Sequence, residues 1–328
     1  MYIFSEEEIR SCIKLDKQTL SVIEEGFEKL DNGEVTMPPV LRVDIPENNG
    51  EVDVKTAYVK GWSQFALKAS SGFFNNPEKG LPSLSGMMLL FSTETGILDA
   101  FLQDNGYLTD VRTALAGAAA SKYLAQEGPV RAGIIGTGAQ ARFQLRALAL
   151  VRDIEEVRVY GRREERVQAY IGEMEEELKV PVKAASSIEE TVQHSNVVIT
   201  TTPSKTPLIK KEWLHRGLHI TAMGSDAEEK NEIAPDALAA ADIKVCDSKA
   251  QVFRLGEFHH AESAGLLAPD DPSIVELGTI INEKTPGRTS SDQVTICDLT
   301  GTGVQDTAIA VQAFKKLRTE NKGTVFGE

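Results

Sequence analysis

The sequence predicts an α/β protein: a Rossmann-type dinucleotide-binding domain joined to an α+β domain with a mostly antiparallel sheet. Three observations carry this. First, an apolar run (Ala132 to Ile135) meets Gly136-Thr137-Gly138-Ala139-Gln140-Ala141, an amphipathic segment runs to Val151, and an alternating run follows from Val157 to Tyr160. Strand, glycine turn, helix and strand in that order form the βαβ unit that seats a dinucleotide pyrophosphate on a helix N-terminus. Second, strand-like and helix-like segments keep alternating as far as Asp298, the pattern of a doubly wound sheet. Third, residues 37 to 91 hold short extended runs separated by turn residues, which suggests antiparallel pairing.

The elements follow in order. Residues 5 to 32 read as helical: Ser5 followed by Glu8 is a capping box, and Thr19 to Leu30 has helical spacing. Met37 to Ile45, Val52 to Val59, Phe65 to Ser70 and Met87 to Phe91 read as strands, with a hairpin turn at Asn48-Asn49-Gly50. Thr109 to Leu124 is a small-residue helix with its N-cap expected at Thr109 or Asp110, and its alanines imply close packing. In the glycine turn, Gly136 permits the tight bend and Gly138 lets the backbone approach phosphates, while Ala141 stands where helix and strand pack closely. Pro181 to Ala185, Asn196 to Thr201, His219 to Met223, Ile243 to Cys246 and Val294 to Asp298 read as further strands, with a helix at Ser187 to His194. The apolar helix from Gly303 to Lys316 is expected to pack back on the first domain. At 328 residues two domains are expected, with boundaries at 1–125 plus 304–328 and at 126–303.

Composition excludes several classes. The net charge is -14 without a basic run, so neither nucleic acid nor an anionic membrane is an expected partner. No apolar stretch reaches the about eighteen residues of a membrane span, and MYIFSEEEIR has no signal-peptide pattern. Cys12, Cys246 and Cys297 are scattered and form no CxxC, which points to a reducing, cytoplasmic compartment.

Candidate site residues fall into three groups. After the second strand of the βαβ unit stands Tyr160-Gly161-Arg162-Arg163, with no acid before Glu164. An acid there would bind the ribose 2′-hydroxyl of NAD; arginines clamp the 2′-phosphate of NADP. The reading leans to NADPH, and a carboxylate from elsewhere keeps NAD open. The second group is cationic: Arg42, Lys55, Lys68 and Arg112. Arg112, placed in the first turn of the alanine helix, opposes the macrodipole and so points to an anionic ligand. Lys68 ends the strand-like run FALK, whereas Arg42 and Lys55 alone read as surface charges. The third group, Met223-Gly224-Ser225-Asp226, directly follows the HITAM strand, where open α/β sheets bind ligands. Asp226 is either a proton-transfer group or a helix cap. Thr201 and Thr202 end another strand and are expected on the nicotinamide side. His259-His260 have no acid or cysteine at ligand spacing, so no metal is expected.

Together these pieces resemble the ornithine cyclodeaminase/μ-crystallin family along essentially the whole chain. The matching segments are MPPVLRV, FALK, TGILDAFLQDNGYLTDVRTALAGAAASKYLA, GIIGTGAQA, the GSD after HITAM followed by KNEI, and DLTGTGVQDTAIA. The resemblance implies a homodimer whose first domain binds substrate and forms the interface. It also implies that Arg42, Lys68 and Arg112 hold the substrate carboxylate while Asp226 handles the amine or imine, and YGRR looks similar to NADPH-binding members. Two departures argue against ornithine cyclisation. Ala69-Ser70-Ser71-Gly72-Phe73-Phe74-Asn75-Asn76-Pro77 replaces the glycine-histidine-proline-asparagine stretch of cyclodeaminases. Lys55 in Val52-Asp53-Val54-Lys55-Thr56 adds a second cation suited to a dicarboxylate. The chain looks closest to the branch of ectoine-utilisation proteins and iminosuccinate reductases. The expected activity is NAD(P)H-dependent reduction of a small α-imino acid, iminosuccinate to aspartate first. The alternatives are an ornithine cyclodeaminase, an alanine dehydrogenase, and a non-enzymatic NADPH-binding protein of the μ-crystallin kind.

Overall fold

The structure is a computed structural model that describes residues 1–327. The chain forms two compact units, Met1–Arg112 with the segment from Thr302 onward, and Thr113–Gly301.

The first unit opens with β1 (Tyr2–Ser5), α1 (Glu6–Cys12) and α2 (Lys17–Asp31). The capping box forms as expected, with the Ser5 side chain on the Glu8 N–H and the Glu8 carboxylate on the Ser5 N–H. The expected single helical stretch is divided, because the Asp16 carboxylate accepts from Thr19 N at 2.7 Å and starts a second helix. Helix α2 buries Leu20, Ile23 and Phe27 at helical spacing. Next come β2 (Val35–Thr36), β3 (Leu41–Ile45), β4 (Gly50–Val59), β5 (Gln64–Phe73), β6 (Leu84–Ser92) and β7 (Leu98–Gln103). The β3–β4 hairpin turns at the expected place, where Asn49 takes φ 48 and Ile45 pairs with Gly50.

Helix α3 (Tyr107–Leu124) corrects the expected cap. Asn105 (φ 51) and Gly106 (φ 91) turn the chain in the left-handed region, and the Asp104 carboxylate accepts from Leu108 N at 2.8 Å. The capping side chain is therefore that of Asp104, not of Thr109 or Asp110, and Arg112 sits in the second turn, beyond the reach of the helix dipole.

The second unit contains β8 (Val130–Ile135), α4 (Ala139–Leu148), β9 (Ile154–Tyr160), α5 (Glu164–Leu178), β10 (Val182–Ala184), α6 (Ile188–Gln193), β11 (Val197–Thr200) and β12 (His219–Ala222). It continues with α7 (Pro235–Ala240), β13 (Ile243–Cys246), α8 (Lys249–Val252), α9 (Glu257–Ser263), β14 (Ile274–Glu276), α10 (Leu277–Ile281) and β15 (Thr295–Asp298). Its sheet runs β10-β9-β8-β11-β12-β15-β13-β14 and its ladders are parallel. The first five positions follow the doubly wound order, with the switch point between β8 and β11. The late strand β15 then inserts between β12 and β13.

Helix α11 (Gly303–Thr319) and β16 (Thr324–Val325) return to the first unit, whose sheet runs β16-β1-β7-β6-β5-β4-β2 with β3 on β4. The β1–β7 pair is parallel and its other ladders are antiparallel. Helix α11 is clamped onto β4 and β5. A Cβ at Gly303 would collide with the Thr56 carbonyl, and the Thr307 hydroxyl donates to Ala57 O at 2.8 Å while accepting from Ala66 N at 3.1 Å. Among the described residues, no helix is long and apolar enough to cross a membrane.

Candidate active site

In the second unit a cavity of about 520 Å³ opens at the switch point. Gly136, Thr137 and Gly138 line it from the β8–α4 turn, Arg162 and Arg163 from the end of β9, and Thr201 and Thr202 from the end of β11. Gly136 adopts φ 120, and a Cβ there would meet the Thr201 hydroxyl, so only glycine lets β8 and β11 end so close together. At Gly138, the N-cap of α4, a Cβ would meet nothing within 4 Å. With no side chain at Gly138 to cap them, the first N–H groups of α4 are left for a ligand. The Arg142 guanidinium pins the turn by donating to Thr137 O at 2.7 Å and Gly138 O at 3.2 Å. A glycine cradle, an open helix N-terminus and flanking arginines fit a dinucleotide.

The sequence reading missed two more cations on this cavity, Arg166 and Lys205. Arg166 was detectable as a third arginine, in the first turn of α5 just beyond Arg163. Replacing Arg162 and Arg163 together with alanine is expected to weaken NADPH at least about tenfold while changing NADH little, because only NADPH carries the 2′-phosphate. Equal loss for both cofactors in fluorescence titrations would remove the arginines from 2′-phosphate recognition.

Other members of the expected set stand off the cavity. Ala139 and Gln140 begin α4. Met223 packs against the apolar core, Gly224 N donates to Glu232 at 2.8 Å, and the Ser225 hydroxyl donates to Lys230 O. Asp226 forms an ion pair of 2.6 Å with Lys230. His259 and His260 lie side by side, and the His260 ring is hydrogen-bonded to Lys230 O at 2.8 Å. No cluster of three or more metal-binding side chains exists among the described residues.

The first unit assembles the cations. Register places Lys55 opposite Lys68 and Arg42 opposite Asp53, and the two-residue period puts all four on one sheet face. Lys68 is 1% exposed, with Nζ 3.0 Å from Asp306 Oδ2. Arg112 Nε lies 2.9 Å from Asp306 Oδ1, and its Nη1 donates to Gln305 Oε1 at 3.1 Å. One buried carboxylate on α11 thus fixes both Lys68 and Arg112. Burial drives the Lys68 ammonium down to about 7; Asp306 opposes this, while Arg112 and Lys55 reinforce it. Burial alone would raise Asp306, yet Arg112, Lys68 and Lys55 together hold it below its ordinary value. Arg42 is differently placed. Its guanidinium meets Glu51 at 2.6 Å, Asp44 at 2.9 Å and Asp53 at 3.8 Å, so carboxylates of this chain already face it.

Asp306 was not among the expected site residues. Its signal was an acid within the small and apolar run of α11, a position that burial forbids unless the charge is paired. A buried lysine titrating near neutrality beside an oriented arginine can exchange a proton with a substrate whose carboxylate the arginine holds.

A dinucleotide cleft in one unit and a buried lysine–carboxylate–arginine cluster in the other define the class: an NAD(P)-dependent oxidoreductase acting at amine or imine carbon. The chain belongs to the ornithine cyclodeaminase/mu-crystallin family, whose model matches residues 2–321. It is 50% identical over 326 residues to a putative dehydrogenase of Rhizobium meliloti, covering 99% of this chain and 98% of the relative. It is 35% identical to an alanine dehydrogenase of Archaeoglobus fulgidus (98% and 97% covered) and 32% identical to an iminosuccinate reductase of Paracoccus denitrificans (94% and 94%). The Thermococcus litoralis Δ1-pyrroline-2-carboxylate reductase, solved with NADH and L-proline, superposes with a TM-score of 0.93 at 28% identity (99% and 100%). An archaeal alanine dehydrogenase dimer with bound NAD gives 0.91 at 32% identity (100% and 99%).

Proposed function

We propose that this chain reduces small α-imino acids with NAD(P)H, iminosuccinate to aspartate being the favoured pair. The observation that carries the reading is the buried cluster itself: Lys68 and Arg112 fixed by one carboxylate, with Lys55 paired across the ladder from Lys68.

Arg112 holds the α-carboxylate of the imine, and its bond to Gln305 keeps the guanidinium aimed. The Lys68 ammonium keeps the imine nitrogen protonated, which makes the adjacent carbon electrophilic. Asp226 is the second candidate for this acid, or for orienting the product amine. Lys55 supplies the further cation that a distal carboxylate needs, and Arg42 lies one strand beyond it, among its acids. In the second unit, Gly136, Thr137 and Gly138 with the start of α4 hold the pyrophosphate, and Arg162 and Arg163 favour NADPH. The bound cofactor supplies the hydride.

The relatives named above divide between mono- and dicarboxylate substrates, and Lys55 favours the dicarboxylate. In a nicotinamide absorbance assay, oxaloacetate plus ammonium is expected to oxidise the cofactor much faster than pyruvate plus ammonium. The reverse order would indicate an alanine dehydrogenase. Proline formed from ornithine with no net cofactor change would indicate a cyclodeaminase.

The chain is also proposed to act as a homodimer. On the sheet face away from Lys68, β3 and β6 expose Leu41, Val43 and Met87, an apolar surface that a second copy would cover. Light scattering is expected to give twice the chain mass of 35.7 kDa; a monomer at micromolar concentration contradicts it.

A further inference from the structure

Glu232 is fully buried beside the carboxyl ends of β11 and β12. Its Oε1 accepts from the Thr202 N–H at 2.6 Å and the Thr202 hydroxyl at 2.7 Å. Its Oε2 accepts from the Thr200 hydroxyl at 2.7 Å and the Gly224 N–H at 2.8 Å. Each oxygen therefore carries one backbone N–H, a donor that cannot turn into an acceptor, and only a group with two acceptor atoms satisfies both. The clamp is close-packed, since a Cβ at Gly224 would collide with Thr202 O and with the Glu232 carboxylate.

Glu232 is held in turn. Its own N–H donates to Glu257 Oε1 at 2.8 Å, while Asn231 Nδ2 and the Ile233 N–H reach Glu257 Oε2 at 2.6 and 3.0 Å. The Glu257 N–H donates to Asp298 Oδ2 at 2.8 Å, at the end of β15. Three buried carboxylates thus tie together the ends of β11, β12 and β15. The segment they fix includes Thr201 and Thr202, which wall the cavity away from the arginines at the end of β9.

We propose that Glu232 is a positioning residue for the half of the dinucleotide that lies away from Arg162 and Arg163, acting by fixing the chain after β11 and β12 through this two-oxygen clamp. The inference rests on the cleft holding NAD(P)H, as proposed above. In Glu232→Gln the amide keeps the shape but has one acceptor, so its NH2 faces either the Thr202 or the Gly224 N–H. The loops must then shift, while the glycine turn and the arginines keep their own support.

The test is a pair of binding titrations on the whole protein, with NADPH and with 2′,5′-ADP, which carries only the adenosine half. Glu232→Gln is expected to weaken NADPH about tenfold, the effect of one unpaired buried donor, and to leave 2′,5′-ADP within about twofold. Thr200→Val, close to isosteric and outside the cavity lining, is expected to show the same pattern at about threefold. Unchanged NADPH affinity in a folded Glu232→Gln protein overturns the proposal, as does equal loss of both ligands. If circular dichroism shows Glu232→Gln unfolded, Thr200→Val decides: selective loss of NADPH supports the clamp, and unchanged affinity overturns it. Where wild type binds NADH alone, NADH and ADP replace the pair with the same expected outcomes; a wild-type protein that binds none of these ligands overturns the cofactor reading and the role of Glu232 with it.

Discussion

Replacing Lys68 with methionine is expected to lower the reductive rate about a thousandfold, the size of a lost general acid, while cofactor titrations stay at wild-type values. Methionine fills the same volume without the proton. The same residue sets the pH dependence. Lys68 titrates near 7 in the folded protein and is charged below that value, so the reductive rate falls as pH rises through about 7. The reverse reaction requires a proton acceptor and rises over the same range. The apparent value belongs to Lys68 and Asp306 jointly, because each moves the other. A reductive rate that stays level from about pH 6 to about pH 9, or a Lys68→Met enzyme within about tenfold of wild type, would assign the proton elsewhere, with Asp226 next in line.

Changing Asp306 to asparagine is expected to have the largest structural effect, a loss of about 3 to 5 kcal/mol, because two buried cations lose their shared counter-charge. Lys68 can relieve part of this by releasing its proton, and without Asp306 to hold its value up it does so at lower pH than in wild type, so the variant is expected to recover stability as pH rises from below neutrality. Wild type has an acid limb as well. Asp306 is held below its ordinary value, so its stabilisation is present above the normal carboxylate range and is lost as pH falls toward the folded value. Thermal unfolding followed across pH checks both limbs. An asparagine variant melting within about two degrees of wild type at neutral pH would show that Asp306 is not what holds the cations.

The parts of the site that local chemistry specifies were legible in the sequence. A glycine turn between two apolar runs requires Gly136 and Gly138 at fixed spacing, so the cleft and the start of α4 could be placed from a few residues. Lys68 and Arg112 stand out by residue type, but the helix dipole does not explain Arg112. Asn105 and Gly106 turn the chain earlier than the expected cap, and Arg112 is held by Asp306 instead of opposing a helix dipole. Asp306 itself meets its partners only through tertiary packing of α11 on β4 and β5, which no local pattern encodes. The insertion of β15 between β12 and β13 is likewise a matter of long-range pairing. Glu232 lay in the quoted KNEI segment, yet nothing near it in sequence announces two strand ends converging on its oxygens.

The central claim is that the chain reduces an imine carbon while its own buried lysine keeps the nitrogen protonated. It is tested most directly by supplying NADPH and NADH deuterated at the transferring position, together with oxaloacetate and ammonium. The product is then read by mass spectrometry. The account predicts aspartate with one deuterium at its α-carbon, formed by wild type about a thousandfold faster than by Lys68→Met. Unlabelled aspartate, no amino acid at all, or labelled aspartate formed equally fast by both proteins would contradict it.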